Sequence, residues 1–433
     1  MRPLALIFLF CTAAIGLSAQ PTFSGDVAPI MQAKCQGCHR PGDIAPFPLM
    51  TYDDASTWAD DIQRVVSQKI MPPWKPVPGH GDFRGDYGLT DAERQTILDW
   101  VAAGIPQGDP ANMPSPLPET GPWQLGDPDL VLQMAQVFTV PRKQDTYRCF
   151  VIPSGLTEDK WVTGVQVLPG NKQIVHHVIL YVDQTGASDK LDGQDGNPGY
   201  DCYGGPGFDL FSGGNLIAAL NLTASLGGWV PGSRVQPLPD GVGMLLTKDS
   251  RIVMQVHYFP NGRPGPDQTQ IGLYFAKTPI QQRMRYFPLV NTTFKIPPGD
   301  SDYHVTDSFT VPFFLDAHAV QIVPHMHLLG RKIRVTATQG DQSSDMVYID
   351  DWDFNWQGFY TYKTAVALPA GTTVKLTCEF DNTADNAKNP NDPLKVVTWG
   401  EGTQDEMCLA FMGLTFDREQ LTMTSRDPLG KKK

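Results

Sequence analysis

The stretch Gln173-Ile-Val-His-His-Val-Ile-Leu-Tyr181 is rich in β-branched and aromatic residues, so Ile174–Val182 reads as a strand, and it carries two adjacent histidines. Working outward, runs of the same character recur at Trp161–Val167, Arg251–Tyr258, Ala319–Val323, Lys332–Ala337, Thr373–Phe380 and Cys408–Thr415, separated by glycine- and proline-rich turns. Short runs of this kind predict antiparallel β-sandwiches. The glycine-rich stretch Gly193–Gly214 reads as a long loop that Cys202 could tether. A break at Asn291–Thr310, rich in Pro, Gly and Asp, divides the β region in two.

Upstream the pattern changes. From Ser24 to about Gly104 the reading is helical: Asp53 or Asp54 can cap a helix running to about Ser67, and Thr90 with Glu93 forms a capping-box pattern that Gly104 ends. Ile105–Asp129 holds seven prolines and no periodicity, and is read as a linker. Met1 to about Ala19 has a basic start, an apolar stretch and small residues at Ser18-Ala19, the pattern of a signal peptide. The reading is therefore an exported protein, periplasmic or secreted, with no membrane span after signal cleavage. The expected boundaries are signal 1–19, helical domain 22–104, linker 105–126, and β-sandwiches 127–290 and 291–425.

The chain has 433 residues, 41% hydrophobic, and a net charge of -12. No basic block precedes the Lys431–Lys433 tail, which argues against nucleic acid as a partner. Of the seven cysteines, Cys11 lies in the signal and Cys35 and Cys38 in a separate motif, leaving Cys149, Cys202, Cys378 and Cys408. Three pairings of four cysteines are possible; the preferred one keeps each bridge inside one domain, Cys149 with Cys202 and Cys378 with Cys408.

Two sets of residues carry chemistry. Cys35-Gln-Gly-Cys-His39 supplies two thiols and an adjacent imidazole, the attachment motif of a covalent c-type haem. For the opposite axial position Met71, braced in Ile-Met-Pro-Pro-Trp, is preferred and Met50 is the rival; methionine and histidine together would raise the potential and suit electron transfer. This region resembles small class I cytochromes c. The second set is His176, His177, His257, His325, His327 and Met407. Imidazole suits copper in either oxidation state and a thioether favours Cu(I), so this mixture reads as redox copper rather than structural zinc. His325 and His327 are two apart on a strand and project from one face. His176 and His177 can share a metal only where their strand is bulged, twisted or at an edge.

The residues around these ligands match a known pattern. Val253-Met-Gln-Val-His-Tyr258, Pro324-His-Met-His-Leu-Leu-Gly330 and Asp405-Glu-Met-Cys408 follow the 173–181 strand in the order seen in copper type II, ascorbate-dependent monooxygenases. Over roughly residues 127 to 425 the chain resembles their peptidylglycine- and dopamine-hydroxylating branches, with Asp145–Cys149 and Gly228-Trp229 extending the likeness. The expected fold is thus multidomain: a small all-α cytochrome c domain followed by two all-β, jelly-roll-like sandwiches.

The resemblance implies that His176, His177 and His257 hold an electron-donating copper, with Gln255 beside it. It implies that His325, His327 and Met407 hold the copper that activates dioxygen, and that a solvent cleft separates the two. One oxygen atom would enter a substrate C–H bond, and the other would leave as water. The cofactors implied are two copper ions and one haem, and the reductant is a periplasmic electron donor or an ascorbate-like molecule. His80, His304 and His318 match no ligand position. In the peptide-hydroxylating branch an arginine, an asparagine and a tyrosine hold the substrate carboxylate, but Val323, Leu409 and Phe411 stand at those positions. The substrate is then a small, neutral, partly apolar molecule rather than a peptide carboxylate. The alternative reading is a non-catalytic haem and copper protein serving electron transfer or copper holding.

Overall fold

The computed structural model describes residues 20–117, 121–141, 145–208, 225–259, 264–417, 419 and 421. The expected signal peptide with Cys11, and the Lys431–Lys433 tail, lie outside them. The chain divides into two compact units, one of residues up to Pro72 with Leu89–Leu117, the other of Pro73–Gly88 with the chain from Pro118 onward.

The first unit is helical. A turn at Phe23–Val27 runs into the helix Ala28–Lys34, and Tyr52–Thr57, Ala59–Ser67 and Asp91–Ala102 follow. Thr51, not Asp53 or Asp54, caps the second helix: its side chain accepts from Asp54 N–H while Asp54 accepts from Thr51 N–H. The aspartate thus serves as the third-residue partner of a capping box. Thr90 and Glu93 form the same reciprocal pair on the last helix. Phe23, Met31, Leu49, Ile62, Ile97 and Trp100 are buried together at its centre.

The second unit holds four main sheets. Spatially ordered strands 130–133, 270–275, 160–168, 242–246 and 282–283 make one sheet, and 200–201, 146–153, 251–258, 175–183 and 225–229 make the sheet that faces it. A third orders 285–291, 408–416, 317–325 and 360–368, and a fourth 303–310, 373–380, 330–339 and 342–349. The first pair encloses a core with Val178, Leu180, Met254, Val256 and Tyr258, the second a core with Ile322, Met326, Val335, Leu376 and Met412. Each run read from the sequence becomes a strand within about two residues of its expected ends, because alternation between a core face and an outer face fixes register. The third sheet begins with Arg285–Asn291, ahead of the expected break, and Tyr303–Thr310 is itself a strand paired with Thr373–Phe380.

The disulfides Cys149–Cys202 and Cys378–Cys408 form as expected, with Cα separations of 5.7 and 5.8 Å. Pro73–Gly88 packs within the β unit. Val77 N–H bonds Tyr348 O at 2.9 Å and Arg84 N–H bonds Thr361 O at 2.7 Å, so the segment covers the edge strands of the third and fourth sheets. No helix among the described residues is long and apolar enough to cross a membrane.

Candidate metal centre

His176 and His177 follow a register shift between Val175 and His177 in the pairing of strand 175–183 with 251–258. That bulge is what allows neighbouring side chains to converge. Their Nδ1 atoms are 3.2 Å apart, close to the ~3.3 Å between two nitrogens that share one ion at ~2.0 Å each. One ring nitrogen from each of His176, His177 and His257 lies within 4.8 Å of the others. His257 Nδ1 and Nε2 and His176 Nε2 are buried with no hydrogen-bond partner, and buried polar atoms of this kind require one. A metal ion held between the three rings would take one nitrogen from each. His257 stacks on Tyr147 at 4.1 Å and His176 on Phe354 at 4.5 Å, which fixes both ring planes. Asp145 Oδ1 stands 3.8 Å from His257 Nε2, too far for a hydrogen bond, and is itself held by Thr403 at 2.6 Å.

His325 ends the strand Ala317–His325 and His327 lies two residues beyond it; both line one cavity, while Met326 between them enters the core. Gln357 Oε1 lies 2.6 Å from His325 Nδ1, and the Asp405 carbonyl lies 3.0 Å from His327 Nδ1. Each ring is thereby turned to present Nε2, the arrangement of a histidine ligand held from behind. Glu406 fastens this strand end to the segment bearing Met407: its carboxyl accepts from His327 N–H at 2.9 Å, Leu329 N–H at 2.5 Å and Met407 N–H at 3.2 Å.

Burial pushes all five histidines down, His176 and His327 to about 3, His325 to about 4, and His177 and His257 below their usual range. They are neutral at ordinary pH and have lone pairs to donate. The donor chemistry fits copper at both sets.

The two sets meet in one place. A cavity of about 330 Å³ is lined by His177, His325, His327 and Met407, with Val323, Leu409 and Phe411 on its wall. Where the resemblance implied a solvent cleft between the sets, the His177 and His325 ring centroids are 6.4 Å apart. Phe354 packs against both His176 and His327, which draws them together. Gln255 lines the cavity, and its amide donates to Cys202 O at 3.1 Å. Gly228 allows the neighbouring strand to approach, since a Cβ there would lie 2.0 Å from Val178 O.

Sequence reasoning did not single out Tyr147, Phe354, Gln357 or Glu406 as site residues. Glu406 was quoted within its motif without a role, and Gln357 carries no local signal. His80 pairs with Asp345, His304 lies 3.3 Å from Asp302, and His318 lies 2.9 Å from Asp417, all away from the cavity lining.

In the helical unit, Cys35 and Cys38 are not joined in a disulfide. Cys38 and His39 N–H both bond Cys35 O, at 3.1 and 3.0 Å, in a tight turn that ends the first helix. His39 Nδ1 lies 3.0 Å from Phe47 O, which leaves Nε2 for another partner. That fits an axial histidine. Met71 follows the helix Ala59–Ser67, its N–H bonded to Val65 O at 3.2 Å, and Met50 N–H bonds Asp54 at 2.9 Å. Both methionines are half-buried.

Comparison with known proteins bears on the β unit. Residues 286–424 match the family model of the copper type II ascorbate-dependent monooxygenase C-terminal domain. DBH-like monooxygenase protein 1 of Mus musculus is 28% identical over 67% of this chain, and that of Homo sapiens 25% identical over 67%. The chain spans 47% of the length of each, about half. These likenesses support the copper monooxygenase family for the β unit. Among solved structures, the major capsid protein P2 of bacteriophage PM2 is similar at 8% identity, over 67% of this chain and 99% of that one, but its TM-score of 0.24 carries no argument.

Proposed function

We propose that this chain is an exported copper-dependent monooxygenase that hydroxylates a C–H bond of a small organic substrate, with electrons relayed through a c-type haem on its helical unit. The observation that carries the reading is one cavity lined by His177 from the first set and by His325, His327 and Met407 from the second. Copper held by His176, His177 and His257, and by His325, His327 and Met407, would supply one-electron storage at each set and activation of dioxygen. The chain's own residues prepare that chemistry. Burial keeps the imidazoles neutral, Gln357 and the Asp405 carbonyl orient His325 and His327, and the apolar wall keeps water from the reacting centre. With Val323, Leu409 and Phe411 on that wall, a glycine-ended peptide would bury its carboxylate without a cationic partner.

Cys35 and Cys38 would attach a haem and His39 and Met71 would hold its iron, which would supply single-electron transfer between a periplasmic donor and the three-histidine set. An ascorbate-like reductant is the other source. Loss of the sulfur-to-iron absorption band in Met71→Ala supports that ligand; an unchanged spectrum gives the position to Met50 or another group. For the reaction itself, turnover under isotopically labelled dioxygen should place one labelled atom in the product. Unlabelled product, or reversible copper and haem redox chemistry with no product, would favour a non-catalytic electron-transfer or copper-holding role.

A further inference from the structure

The cavity carries a group that none of the metal ligands uses. Glu401 is the one Asp, Glu, Lys or Arg side chain among the described residues that line it, and the wall around it includes Ile179, Val230, Phe359 and Trp399. Its main chain is pinned, since Tyr147 Oη donates to Glu401 O at 2.7 Å and Gly402 N–H bonds Asp405 at 3.2 Å. Its carboxyl, by contrast, has no hydrogen-bond partner among the described residues. Burial, and then the neighbouring Asp405, push the Glu401 carboxyl above its usual range. A half-buried carboxyl on an apolar cavity wall, with no side chain bonded to it among the described residues, is placed to accept a hydrogen bond from a molecule bound there.

We infer that Glu401 is the polar anchor for the substrate, and that the substrate is an apolar molecule bearing one hydrogen-bond donor, a hydroxyl or an amine, and no carboxylate. This rests on the monooxygenase reading of the same cavity. The donor satisfies Glu401 while the skeleton fills the apolar wall, so the anchored end is fixed and the carbon presented to Met407 is set by the length of the skeleton. A carboxylate would instead meet a like group with no compensating cation among the described lining residues.

The test is calorimetric binding to the full chain, copper-loaded and copper-free, of three probes with one skeleton: cyclohexylmethanol, cyclohexylmethylamine and cyclohexanecarboxylate. The alcohol or the amine should bind about tenfold or more tighter than the carboxylate, and Glu401→Leu should weaken the better of the two about tenfold. Glu401→Gln, which keeps an acceptor oxygen and loses the charge, separates the two sources of the donor. Retained alcohol binding points to a hydroxyl, and loss confined to the amine points to an ammonium. Equal melting temperatures for both variants and the parent exclude a folding defect; should Glu401→Leu melt early, the Gln variant and the probe ranking still decide. Tightest binding of the carboxylate, unchanged affinity in Glu401→Leu, or no saturable binding of any probe would overturn the anchor. Because binding is read without turnover, probe binding without labelled product would count against the monooxygenase reading alone. Labelled product with Glu401-independent binding would count against the anchor alone.

Discussion

His325 and His327 have their Nδ1 atoms taken by Gln357 and the Asp405 carbonyl, whereas His257 has no hydrogen bond at either ring nitrogen and His176 has none at Nε2. The first pair is aimed by polar contacts, the second set by ring packing on Tyr147 and Phe354 and by a strand bulge. A disulfide braces each: Cys408 follows Met407 directly, and Cys149–Cys202 fixes the loop whose carbonyl binds Gln255. The difference teaches that two neighbouring histidine sets in one fold can be oriented by separable means. Each should then fail to a different kind of substitution.

The largest effect is expected from the ligand that distinguishes them. Met407→Ile should lower product formation more than about a hundredfold while the three-histidine set keeps its copper. Activity near the parent level would remove Met407 from the oxygen-activating set. Gln357→Leu comes next. Losing the contact behind His325 should weaken copper at that set about 10–100-fold, with the other set unmoved, as a two-site metal titration would report. Weakening of both sets together would break the comparison.

Glu406 sharpens it through stability. Burial pushes this carboxyl up to about 8, against the pull of the backbone N–H groups of His327, Leu329, Met407 and Gly330. In copper-free protein the folded chain then keeps a proton that the unfolded chain releases near 4.5. The resulting stabilisation is complete below 4.5 and is lost as pH rises through about 8. Glu406→Gln should flatten that dependence, and it should cost about 1–3 kcal/mol because its NH₂ would face backbone donors. Denaturant melts at several pH values would show both. A slope identical to the parent's would mean that the group does not titrate in this range. The smallest effect is expected at Tyr147. Tyr147→Leu should loosen the three-histidine set by roughly threefold through loss of the stack on His257, while Tyr147→Phe keeps it. Equal loss in the two variants would assign the role to the hydroxyl instead.

What the sequence made legible follows the range of the interaction. Strands such as Arg251–Tyr258 and Thr373–Phe380 were readable to the residue, because β-branched alternation is a local property. The convergence of His176 and His177 was readable only as a condition, a bulge, since the bulge is set by pairing with 251–258. Gln357 and Glu406 were not readable as supports. Gln357 lies 32 residues from His325 in sequence, and Glu406 lies 79 from His327. Residues 73–88 sit inside the stretch read as helical, yet Phe83 is buried among Tyr360 and Tyr362 in the C-terminal sandwich, and Trp74 packs edge-on to Tyr360 at 5.3 Å. With no period of its own, that segment is placed only by the sheet edges it covers.

Copper X-ray absorption on the reduced full chain, together with a copper count, tests the central claim most directly. Two coppers per chain with a sulfur scatterer at one of them, lost in Met407→Ile without loss of the three-histidine copper, is the predicted result. A single copper, or two coppers with nitrogen and oxygen scatterers alone, would contradict the account.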